Sequence, residues 1–240
     1  MKKSLIPIKL ILFSVLAVVI TSYQAVAQDL DGAWMEKDKD GSLLLVQDGY
    51  FSVISFENSP AKFNYTLGGV VDFDGSVISV KIEFHSMDKT EVGNSHTFSG
   101  KLKGKELVVD RPEGYQQTWI KVDEEEQGLA GVWRITGRKS DGKINQMPKR
   151  ARKTLKLLTD NHFQWIAMNT DTGEFFGTGG GKYTFEDGKY TEHIKFFSRD
   201  DSRVGMSLSF DGEVKDEDWH HSGKSSKGDP IYEIWSSEEY

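Results

Sequence analysis

The sequence predicts an all-β protein built as two tandem up-and-down antiparallel barrels. Three observations lead there. Glycine is frequent (24), proline rare (5) and aromatic residues reach 12% of the chain, a composition that suits many short, half-buried strands. Asp40-Gly41, Asp48-Gly49, Asp74-Gly75 and Lys103-Gly104 punctuate alternating apolar runs, and Asp-Gly between such runs marks a hairpin. Finally, the chain matches itself. The stretch Gly68–Ser86 aligns without a gap on Gly180–Ser198, with Gly68/Gly180, Gly69/Gly181, Phe73/Phe185, Ile82/Ile194, Phe84/Phe196 and Ser86/Ser198 identical.

Taken in order, the chain opens with a segment outside this pattern. Lys2 and Lys3 precede an apolar run, Leu10–Ile20, and Ala25 and Ala27 then supply small residues. The run is too short to span a bilayer. This is the pattern of a secretory signal peptide, residues 1–27, with cleavage after Ala27. The expected protein is exported to the periplasm or beyond, with no stable membrane insertion once the leader is removed. There is no cysteine, so an exported chain must be held by its core alone, which suits a bacterial protein. The net charge is −7, and losing Lys2, Lys3 and Lys9 makes the remainder still more acidic. An acidic surface disfavours general nucleic-acid binding.

The first barrel is expected over residues 28–123. Its strand-like runs are Ser42–Gln47, Tyr50–Phe56, Lys62–Leu67, Gly69–Phe73, Val77–His85, Asn94–Leu102, Glu106–Asp110 and Tyr115–Val122. No helical periodicity competes with them, and closing the sheet removes exposed edges. The acidic stretch Asp123–Gly128 reads as a short polar joint that keeps the barrels close. The second barrel is expected over residues 129–240. Relative to the first it carries an insertion between its first two strands, within Arg138–Lys153, rich in Lys and Arg. A basic loop there would attract anions.

Each copy begins with Gly-x-Trp (Gly32-Ala33-Trp34, Gly131-Val132-Trp133) and ends with Trp119 or Trp235. Large aromatics on neighbouring first and last strands would plug one end of the core. The Gly-x-Trp signature resembles that opening lipocalin and other calycin barrels, and the two copies resemble lipocalin-like domains of secreted bacterial proteins. That resemblance implies a barrel with one closed end and one open end that holds a small molecule.

The functional reading comes from where the copies differ. Ile78, Val80, Ile82 and Phe84 form one face of a long strand, expected to line the barrel; their matches are Tyr190, Glu192, Ile194 and Phe196. A carboxylate on that face is costly unless paired or protonated. Leu107 and Val109 match Trp219 and His221, with His220 on the other face. Val53 matches Trp165, Tyr50 matches His162, and Gln117 matches Glu233. The first barrel thus reads as the structural copy with an ordinary core, the second as the carrier of a site. The expected ligand-binding residues are Trp165, Tyr190, Glu192, Arg203, Trp219, His221, Lys224 and Glu233. Trp165 and Trp219 would be walls, Arg203 a hairpin-loop cation, and Lys224 part of the loop Gly223–Gly228. The histidines His162, His193, His220 and His221 lack ligand spacing, so no metal is expected, and no cofactor motif is present. Two alternatives to a small-molecule binder stay open. One is an acid–base enzyme, a lyase, isomerase or hydrolase on a sugar-like substrate, using Glu192 or His221. The other is a surface interaction module without ligand, which would have two filled apolar barrels.

Overall fold

The computed structural model describes residues 30–225 and 228–240; the expected signal peptide lies outside them. The first barrel runs β1 (Gly32–Glu36), β2 (Ser42–Gln47), β3 (Tyr50–Asn58), β4 (Ala61–Phe73), β5 (Val77–His85), β6 (Ser95–Lys103), β7 (Glu106–Asp110) and β8 (Gln116–Lys121). Each strand pairs antiparallel with the next, and β8 pairs back onto β1 to close the sheet. The second barrel repeats this order with β9 (Gly131–Ser140), β11 (Arg152–Leu158), β12 (His162–Asn169), β13 (Glu174–Glu186), β14 (Lys189–Phe197), β15 (Ser207–Lys215), β16 (Asp218–Lys224) and β17 (Pro230–Ser237). It closes through β17 on β9.

Two sequence expectations are corrected here. The runs Lys62–Leu67 and Gly69–Phe73 are one continuous strand, β4. The basic insertion is not a plain loop. β9 runs on to Ser140 and folds back as β10 (Lys143–Gln146), a hairpin that extends the sheet beyond β11.

The first-strand tryptophans are tied to the residues just before their strands, while the last-strand pair, Trp119 and Trp235, line the barrel cavities. Trp34 and Trp133 donate their indole N–H to Leu30 and Leu129 carbonyls, each at 2.9 Å. Gly68-Gly69 and Gly180-Gly181 mark register shifts where β4 and β13 bend. A Cβ at Gly68 or Gly180 would collide with the Phe51 or Phe163 carbonyl oxygen and with the ring of Phe84 or Phe196. The extra residue at each shift reverses the alternation of the facing strand. Phe84 and Phe196 therefore do not line the barrels; they join the apolar cluster on the barrels' outer faces.

That cluster is where the barrels meet. β2 lies against β11, β4 against β14 and β5 against β13. The residues involved are equivalent in the two copies: Leu43 and Leu155, Leu45 and Leu157, Ile54 and Ile166, Phe84 and Phe196. The same surface of each copy thus packs on the other about a pseudo-twofold axis. Phe56 stacks on Phe196 at 5.4 Å. A polar seam crosses it, with Gln164 donating to Thr66 at 3.1 Å and to Thr178 at 2.9 Å.

The acidic joint is docked rather than solvated. Asp123 accepts from the Ala33 amide at 2.7 Å and from Thr159 at 3.0 Å, and pairs with His162 at 3.0 Å. Burial works to raise its carboxyl, but His162 and these donors outweigh burial and hold it below the ordinary carboxylate range. His162, matched to Tyr50 in the sequence, serves this clasp and stands outside the second barrel's cavity.

Candidate functional site

β11 alternates across the barrel wall: Leu155 and Leu157 face the other barrel, while Lys156 points inward. Lys156 stands where the first copy has Leu44. Its ammonium donates to Glu192 Oε1 at 2.7 Å, and both side chains are almost fully buried (5% and 7% exposed). Four rings surround it. The centroids of Tyr190, Trp219, Trp235 and Phe210 lie 4.6, 4.9, 5.2 and 5.9 Å from Nζ. Desolvating two charges costs several kcal/mol per ion, so such a pair persists only with close contact and further stabilisation. The quadrupoles of the rings supply some of it, on the order of 1–2 kcal/mol per desolvated cation–π contact.

His221 sits in the same cage, its ring 4.1 Å from Phe210 and 5.6 Å from Tyr190. Nδ1 is 3.6 Å from Glu233 Oε2, an electrostatic contact longer than a hydrogen bond. Burial and the Lys156 ammonium push the imidazole down despite the two carboxylates, so it is neutral at pH 7. Burial raises the Glu233 carboxyl, but the Arg138 and Lys156 cations outweigh it and hold the group below its ordinary value. Glu233 is bonded to Arg138 at 3.0 Å. Arg138 lies on the extended part of β9 that pairs with β10, so the insertion places this cation at the mouth.

Above the cage opens a cavity of about 380 Å³, walled by Trp165, Phe176, Phe197, Leu208 and Ile231. Arg138, Arg152 and Arg199 stand on its rim. Arg152 stacks on Phe176 at 4.3 Å, and Arg199 Nε donates to the Phe176 carbonyl at 2.9 Å. Within the described residues neither has a carboxylate partner, so the mouth keeps a positive potential. At the floor the polar atoms are under-satisfied. Tyr190 Oη, Trp219 Nε1, Trp235 Nε1 and both His221 nitrogens are buried without a hydrogen-bond partner from the described residues.

The structure brings together Trp165, Glu192, His221 and Glu233 around the cavity. Tyr190 and Trp219 lie beneath it, completing the lysine cage, so Trp219 is floor and not wall. Arg203 is elsewhere: it ends a 3-10 turn (Asp201–Arg203) and pairs with Asp200 at 3.1 Å. Arg199, four residues earlier, takes the place expected of it. Lys224 is exposed at the end of β16, away from the lining; residues 226–227 of its loop lie outside the described residues. Sequence reasoning missed Lys156; Arg138 and Arg152 belong to the basic insertion expected to attract anions, though neither was named individually. Lys156 had a signal, a single charge inside the apolar run Leu155–Leu158. Among the described residues no group of three or more His, Asp or Glu side chains gathers as a metal site would.

Residues 128–239, the second barrel, match the model of a family described as a domain of unknown function (DUF4488). A comparison with curated proteins finds no match.

Proposed function

We propose that this chain is an exported, lipocalin-like binding protein whose second barrel takes a small amphipathic molecule, its polar group directed to the floor. One observation carries the reading: buried, unpartnered donors and acceptors converge beneath an open cavity. Leaving such groups unmet costs about 1–3 kcal/mol each, and a ligand's hydroxyls or carboxylate would meet them. Aromatic walls would hold the ligand's apolar body, and the rim arginines favour anionic or polyhydroxyl head groups.

The test is a ligand panel of aromatic carboxylates, sugar acids and neutral sugars, read by tryptophan fluorescence. Saturable quenching that is weakened tenfold or more by Trp165→Ala and by His221→Val is expected. A panel without a binder, or binding indifferent to both substitutions, overturns the proposal.

A second reading has support in one feature. The buried, neutral imidazole of His221, without a hydrogen bond from the described residues and beside two carboxylates, is a group that can accept a proton. Conversion of a bound sugar-like substrate, abolished by His221→Val while Glu192→Gln still binds, would establish an enzyme in place of a binder.

A further inference from the structure

The first barrel, expected to be a filled structural copy, is hollow. A cavity of about 360 Å³ opens at its mouth, and a further lobe of about 80 Å³ lies deeper. The two share Phe51, Val53, Val80, Phe98 and Trp119. The lobe exists because this copy has Leu44, Val80, Leu107 and Val109 where the other has Lys156, Glu192, Trp219 and His221. Smaller aliphatic side chains leave the volume that the second barrel fills with its charged cage.

One cation borders both spaces. Arg111 lies with its guanidinium 4.9 Å over the Phe98 ring, and its buried Nε has no hydrogen-bond partner from the described residues. The other ionisable groups lining the mouth are Tyr65, His85, Glu91, His96 and Glu113. Two of these pair with each other, His96 to Glu91 at 2.9 Å, and His85 accepts from the Met87 and Asp88 amides.

We propose that the first barrel is a separate binding site for an amphipathic monoanion, a medium-chain or aromatic carboxylate or sulfonate. Its apolar body fills the lobe between Leu44, Val80 and Val109, and its anionic group bonds Arg111. The polarity is opposite to that of the second barrel: there the polar groups are deepest, here the apolar end is. This assignment does not depend on the second barrel's ligand.

Sodium decanoate, titrated calorimetrically into the full chain, is the probe. Saturable binding is expected, at least tenfold weaker for Arg111→Met and lost for Val80→Trp, which fills the lobe. Decanol should bind at least tenfold more weakly than decanoate. Arg111 is partly exposed and makes no ion pair among the described residues, so Arg111→Met should fold and keeps the test decisive if Val80→Trp does not. No saturable heat, or heat that Arg111→Met leaves unaltered, overturns the proposal.

Discussion

The two barrels share strand order, first- and last-strand tryptophans and glycine bends, yet their interiors follow opposite rules. The first is lined by Leu44, Val80, Leu107 and Val109 and is apolar with empty space. The second places Lys156, Glu192, Trp219 and His221 at the same positions and spends its volume on a charged, ring-caged network. Because the frames match, the difference isolates what is not required for closing the barrel. A Lys–Glu pair in the second core is therefore an addition to the fold, and buried pairs of this kind are seldom a net gain over well-packed aliphatics.

The largest expected effect comes from breaking that pair. Lys156→Leu leaves Glu192 buried and unpaired and should cost about 3–5 kcal/mol in urea unfolding. The double variant Lys156→Leu/Glu192→Val restores the first barrel's pair of residues and should recover most of that loss. If the double is as unstable as the single, the two cores are not interchangeable.

Next in size is the contact between the copies. Leu45→Ala or Leu157→Ala, at equivalent places, should each cost about 2–5 kcal/mol and by similar amounts, as a pseudo-twofold interface requires. Unequal losses, with one variant unaffected, would show that the symmetry is only of sequence.

The joint gives a smaller effect and one tied to pH. The folded Asp123 carboxyl is held below its ordinary value, so its contribution is fully present above the unfolded value near 4 and is lost as pH falls through the folded value. Asp123→Asn should cost about 1.5–3 kcal/mol at pH 7, and the gap to the parent should shrink below pH 4. A gap that stays constant with pH would locate the contribution elsewhere.

Smallest is Tyr190→Phe. Its hydroxyl is buried without a hydrogen-bond partner among the described residues, so stability should change by less than about 1 kcal/mol or rise, while affinity for a ligand bonded at the floor should fall. The first barrel carries Ile78 there and supplies the unaffected control.

The site was partly readable before the structure. Glu192 and His221 stood out because ionisable side chains replaced the aliphatic Val80 and Val109, and Glu233 because a carboxylate replaced Gln117; a period-two strand turns such a replacement inward. Lys156 went unnoticed although it obeys the same logic, because a charge between two leucines reads as the solvent-facing residue of a half-buried strand. Its match in the first copy, Leu43–Val46, is apolar on both faces. The outer face is covered by the other barrel, so simple alternation does not apply. Arg203 was misplaced for a different reason: a loop carries no periodicity, and a local bond to Asp200 decided which arginine faces the mouth.

By itself the sequence determined the all-β class, the doubled barrel, the recurring first- and last-strand tryptophans and the copy that holds the polar interior. These depend on local rules, turn residues and the two-residue period, that operate along the chain. Only the tertiary structure decided which outer faces meet, that Asp123 is a clasp, that Lys156 pairs with Glu192, and that the first barrel is hollow. Each depends on side chains distant in sequence meeting across a closed sheet, where volume and charge are balanced in space and no stretch of the chain records the result.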